Sequence, residues 1–95
     1  MKFMLTWRLH TEKRIDALKG FSKMTAADDK ADMGKNIKLI GRWHDIAEGT
    51  GVAIFESDDP MAMANWALNW TSVLDCKVTP VLDDEEVRKV GKSRK

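Results

Sequence analysis

The stretch NWALNWTSVLD, residues 65–75, repeats an Asn-Trp pair at a spacing of four. On a helix that spacing sets Asn65 over Asn69 and Trp66 over Trp70, one turn apart. Two indoles in register are either a shelf for a flat ligand or a large piece of core, since one Trp buries about 200 Å². A second candidate is His44 in GRWHD, residues 41–45: an imidazole titrates near neutral pH, and the adjacent Asp45 could orient it for proton transfer. His44 is thus the one catalytic candidate, against the plainer reading of a rim histidine without a task. A third is the set Thr6, Arg8 and Arg42. These side chains could hold a carboxylate or phosphate, because guanidinium donates to both oxygens at once, or they could pair with Glu56 or Asp75 across a sheet. Metal chemistry is not expected: His10, His44 and Cys76 are the available soft or borderline ligands, and none stands at a ligand spacing. The acidic groups Asp28/Asp29/Asp32, Asp58/Asp59 and Asp83 to Glu86 are assigned to helix starts, where the helix dipole favours them without a cation. No glycine-rich phosphate loop and no Gly-x-Ser-x-Gly turn occurs, and no cofactor is implied.

The elements that must position these groups follow from periodicity. KFMLTWRL, residues 2–9, alternates as a strand, with Phe3, Leu5, Trp7 and Leu9 on one side and Met4, Thr6 and Arg8 on the other. Thr11 can cap a following amphipathic helix carrying Ile15, Leu18 and Phe21 and ending near Met24. Gly20 inside it suggests close packing against a neighbour. Residues 25–36 open with Thr-x-x-Asp and close on Gly34, which reads as one short helical turn or a connector. IKLIGRWH, residues 37–44, and GVAIFES, residues 51–57, form an antiparallel hairpin. Strict alternation puts Ile37, Leu39 and Trp43 on one face and Lys38, Ile40, Arg42 and His44 on the other. Asp58 or Asp59 followed by Pro60 starts a second helix. DCKVTPVL, residues 75–82, is a strand that Pro80 assigns to a sheet edge. DDEEVRKVG then places acids before bases in a short terminal helix.

The order β-α-β-β-α-β, with a tail helix, is an α+β arrangement of the ferredoxin-like kind: an antiparallel sheet in the order 4-1-3-2 with the helices on one face. Ninety-five residues fit a single domain, 1–95, with a basic tail from about Lys89 that is expected to fray. Sixteen basic against fifteen acidic residues give no field to gather nucleic acid. No apolar run approaches the roughly 20 residues of a membrane span. The lone Cys76 suits a reducing compartment, and nothing at the N-terminus marks export, so the expected location is cytoplasmic.

With Phe3, Leu5, Trp7 and Leu9 turned to the helices, the other face receives Met4, Thr6, Arg8, Ile40, Arg42 and His44. The third strand adds either Ala53 and Phe55 or Val52, Ile54 and Glu56. Such a half-apolar face exceeds the scattered hydrophobes of a monomer, and a two-fold dimer with sheets face to face would cover it and enclose a cavity.

The segments MKFMLTW, IKLIGRWHD, GVAIFESDD, WALNW and VTPVLDDEE together resemble the small bacterial family called domain of unknown function 3303, within the dimeric α+β barrel group. That resemblance implies a ferredoxin-like fold and a homodimer, and it brings no activity or catalytic residues to carry over. Cofactor-free monooxygenases and haem-degrading enzymes of the same structural group use Asn, Trp and His near the barrel cavity. This chain shares the residue types without a matching spacing.

The leading expectation is a homodimer binding a small anionic or aromatic molecule between the sheets. Thr6, Arg8, Arg42 and His44 would hold its polar groups, and Trp43 and Trp70 would contact its apolar part. The alternatives are a cofactor-independent monooxygenase or isomerase with His44 as acid or base, and a structural or interaction dimer without a ligand.

Overall fold

The alternation in KFMLTWRL gives β1 (Lys2–Leu9), whose inward residues Phe3 and Leu5 are buried. A computed structural model of the chain describes residues 1–94. After β1 come a 3-10 turn (Thr11–Lys13), α1 (Arg14–Lys23), α2 (Ala26–Met33), β2 (Lys38–Asp45), β3 (Thr50–Glu56), α3 (Pro60–Asn69), β4 (Leu74–Val81) and α4 (Asp84–Ser93). The strands form one antiparallel sheet in the order β2-β3-β1-β4, which is the ferredoxin-like order read from the opposite edge. β4 lies at an edge, where Pro80 costs no ladder hydrogen bond.

The register settles which residues share a face. Phe3 pairs with Phe55, Leu5 with Ala53 and Trp7 with Gly51, so these side chains point to the helices, and Val52, Ile54 and Glu56 point away. Between Leu39 and Gly41 the β2–β3 register slips by one residue, and Ile40 is the unpaired extra. Past that bulge the alternation of β2 is inverted. Arg42 pairs with Ala53 and His44 with Gly51, which turns both to the helix side, and Trp43 pairs with Val52 on the open side. The strict alternation expected from sequence is thereby corrected: Arg42 and His44 do not belong to the open face, and Trp43 does.

The core forms where Phe3, Leu5, Ala53 and Phe55 meet Met33 and Ile37 from the α2 region and Met63, Trp66 and Ala67 from α3. Phe55 and Trp66 meet edge-on with centroids 5.0 Å apart, the arrangement that ring quadrupoles favour. α3 begins as its sequence requires. The Asp59 side chain accepts from the Ala62 N–H at 3.0 Å, and Pro60 occupies the first turn. Ser57 is buried at the preceding bend, where its hydroxyl donates to the Asn36 carbonyl at 2.7 Å and accepts from the Asp59 N–H at 3.0 Å.

α2 is a full helix rather than a single turn or connector, opened by a reciprocal capping box between Thr25 and Asp28. Asp28 and Asp29 lie in its first turn, as expected, and Asp32 does not, being in the last. Asp29 receives a two-pronged contact from Arg42, at 2.6 and 3.3 Å, with both side chains largely shielded from solvent. Asp32, a turn further on, accepts from two indoles with one oxygen, Trp66 Nε1 at 2.8 Å and Trp70 Nε1 at 3.0 Å. The repeated Trp of NWALNW is therefore a bracket for α2, and Asn65 and Asn69 are exposed. Gly20 meets no neighbour, so close packing does not account for it. α4 runs through Ser93 and so includes most of the tail expected to fray, while Lys95 lies outside the described residues.

Asp32→Ala leaves two indole N–H groups without their acceptor. Urea unfolding should show a loss of about 1–3 kcal/mol with unchanged slope, against less than about 0.5 kcal/mol for Asn65→Ala on the exposed side of α3.

Candidate functional site

α1 carries Ile15, Leu18 and Phe21 on one stripe, as its period requires, yet it buries none of its residues. Ile15 stays 61% exposed and Leu18 38%. The stripe does face the sheet, but across a gap: a cavity of about 160 Å³, half-open to solvent, lies between α1, α3 and the helix side of the strands. Its floor is Leu5, Trp7, Ala53 and Phe55, its far wall Trp66, Ala67, Trp70 and Leu74, and its roof Ile15, Ala17, Leu18 and Phe21. At one end it reaches the β2–β3 turn through Asp45, Ile46 and Gly49.

The polar groups of this cavity are few and already constrained. The His44 ring sits between Trp7, at 5.3 Å between centroids, and Phe21, at 5.1 Å. Partial burial there lowers its pKa below the ordinary 6.5, and the positive charge of Arg42 lowers it further. His44 is accordingly neutral at pH 7, with one ring nitrogen free to accept a proton. Arg42 lies with its guanidinium carbon 4.8 Å from the centre of the Phe21 ring and gives its charge to Asp29, so it joins α1, α2 and β2 at one point. Arg14 reaches over the β2–β3 turn and donates to the Ala47 carbonyl at 3.3 Å. The turn leaves it room because Gly49, at φ 72°, has no Cβ, and one there would stand 2.6 Å from Arg14 Nε. Trp7 lies flat against Gly51 across the strand pair, where any Cβ would overlap the ring.

The six residues singled out from sequence therefore separate into two groups. Arg42, His44 and Trp70 line the helix-side cavity. Thr6, Arg8 and Trp43 belong to the open face, where Thr6 and Arg8 border a shallow hollow with Thr50, Asp75 and Lys77. Arg8 pairs with Glu48 at 3.6 Å and not with Glu56 or Asp75, and Asp75 is taken by His10 at 3.2 Å. Trp43 is 60% exposed. Trp7, Phe21, Arg14, Asp29 and Asp32 were missed as site residues. Gly41 inside a strand pattern was the available signal for the bulge, and the three-residue step from Asp29 to Asp32 was the signal for a helix face with two fixed basic or N–H partners.

The fold and cavity define a small ferredoxin-like α+β domain with an apolar chamber beneath its first helix. The family model described as Domain of unknown function (DUF3303) matches residues 1–95, and the chain belongs to that family. No curated protein matches the chain. Among the described residues no helix is long and apolar enough to cross a membrane.

The depressed pKa of His44 has a sign that solution measurements can read. The unfolded chain binds this proton more readily than the folded one, so the stability tied to neutral His44 is complete above 6.5 and is lost as pH falls from 6.5 through the folded value. In an NMR titration the His44 ring resonances should move with a midpoint below 6.5. His44→Gln should flatten the fall in urea midpoint between about pH 7 and about pH 5.

Proposed function

We propose that the chain binds a small, mainly apolar molecule, an aromatic ring with one polar or acidic group, in the cavity beneath α1. The observation that carries this reading is the 160 Å³ space under a helix that buries nothing. The space is half-open to solvent and mainly apolar in its lining, so a molecule that fills it removes that apolar surface from water, at about 25 cal/mol per Å². Apolar voids near 150 Å³ accept a single aromatic ring. The walls Trp7, Phe21, Phe55, Trp66 and Trp70 supply ring faces and edges, and His44 and Arg14 supply the polar contacts. Because Asp29 neutralises Arg42 and His44 is uncharged, the site favours an apolar body with one polar group over a highly charged ligand.

A second reading, catalysis without a cofactor, draws on neutral His44 held against Trp7 and Phe21 at the cavity wall. A neutral imidazole at the edge of a mainly apolar cavity can accept a proton from a bound carbon acid or phenol. Recovery of the bound molecule unchanged favours simple binding, and its conversion by the native chain but not by His44→Gln favours catalysis. A cytoplasmic setting suits either reading, given the single half-buried Cys76.

The partner we propose is a second copy of the chain. Met4, Val52, Ile54 and Val81 are half-buried on the open face, and Ile40 and Trp43 add exposed apolar surface beside them. A sheet face of this composition is covered in most stable folds.

Thermal-shift screening with small aromatic acids and phenols should raise the melting temperature, by the equivalent of about 2.7 kcal/mol at a hundred times Kd. Ala17→Phe, which sends a ring from the roof into the cavity, should abolish that shift without unfolding the protein. In light scattering the native chain should run at twice its 10.8 kDa mass, and Ile54→Lys, on the open face, should run at the single-chain mass.

A further inference from the structure

Building on the dimer reading above, we propose that α4 is an arm that closes over the sheet of a second copy, so that each protomer's interface is completed by the other's terminal helix. The chain is too extended to be a closed body by itself. Its radius of gyration is 15.1 Å and its long axis 52 Å, whereas a compact domain of this length has a radius of about 12 Å. α4 buries none of its residues, and Leu82, Val87 and Val90 stand 55%, 55% and 52% exposed at its start and along it. Ten residues fall short of the roughly 12–15 at which even alanine-rich helices become marginally stable in water. The Asp83–Glu86 capping box helps its start, but a helix of this length gains most of its stability from covering an apolar stripe.

The side on which α4 stands identifies what covers it. Lys2 is on the open face, and its ammonium group reaches Glu56 at 3.7 Å on that face, Asp83 at 3.2 Å and Glu86 at 3.7 Å. The first turn of α4 is therefore anchored to the open side of the sheet. On the helix, Val90 lies about 40° and Val87 about 100° from Glu86, so the valine stripe continues from that anchored side. The open face alone, with strands of seven or eight residues, spans roughly 26 by 19 Å in plan. That footprint is about 500 Å² in projection, a modest base for the roughly 800 Å² of accessible surface per partner in stable specific interfaces. The Leu82, Val87 and Val90 stripe extends the same surface toward that figure, and a two-fold axis gives each copy the complementary arm.

The test is sedimentation and light scattering of the full chain over a concentration series, beside Val87→Glu/Val90→Glu. The arm predicts a native dimer, at least about a tenfold weaker self-association in the variant, and an unchanged core signal by near-ultraviolet circular dichroism. Isotope-filtered NMR on mixed-label dimers should place contacts from the Val87 and Val90 methyls on the open face of the other copy. A native dimer with undiminished association in the variant and no such contacts would overturn the arm and leave the dimer standing. A native chain that is monomeric at every concentration would overturn both.

Discussion

One residue too many in β2 decides the chemistry of both sides of the sheet. β3 offers no partner for Ile40, so the slip between Leu39 and Gly41 shifts every later side chain of β2 to the opposite face. Without it, Arg42 and His44 would face away from the helices and Trp43 would take a place beneath α1. With it, the cationic group that can bind α2 and the one histidine of β2 both arrive at the cavity, and the bulky indole adds to the apolar open face. Gly41 makes the shift compatible with Trp43, whose ring lies where a Cβ at 41 would stand.

The cavity survives because the roof is held by its edges. Asp29 ties α2 to β2 through Arg42, and Asp32 ties it to α3 through Trp66 and Trp70. Phe21 takes the Arg42 guanidinium on its face and the His44 ring at its side, which fixes the end of α1 without filling the space under its middle. Charge-assisted hydrogen bonds set distances that apolar contact alone does not. The helices are thus spaced from the sheet by polar struts at the periphery, and the apolar stripe of α1 looks onto open volume. The same division of labour leaves the far face of the sheet and the α4 stripe uncovered, and the proposed dimer rests on those two surfaces as the proposed ligand rests on the space beneath α1.

Much of the architecture was legible because its causes are local. Pro60 after Asp59 marks the start of α3, the alternation of residues 2–9 marks β1, and Pro80 marks an edge strand. The family resemblance read from those segments agrees with the match over the whole chain. The site was less legible, because membership in it depends on pairings between distant residues. Arg42 with Asp29 and Trp66 with Asp32 join segments 13 and 34 positions apart. Asp29 and Asp32 look like ordinary helix-start acids until the helix bounds place Asp32 in the last turn of α2. The bulge acts at a distance too: one unpaired residue changes the face of Arg42, Trp43 and His44, and a strict period of two cannot register it.

The central claim is that the space beneath α1 is a binding chamber rather than loose packing. A crystal structure of the full chain under xenon pressure tests it most directly, since xenon enters apolar voids and scatters strongly. The account predicts xenon density between Phe21, Trp7 and Trp70 with α1 in its present position. A structure in which α1 has closed onto the strands, with Ile15 and Leu18 buried against Ala53 and no xenon beneath them, would contradict it.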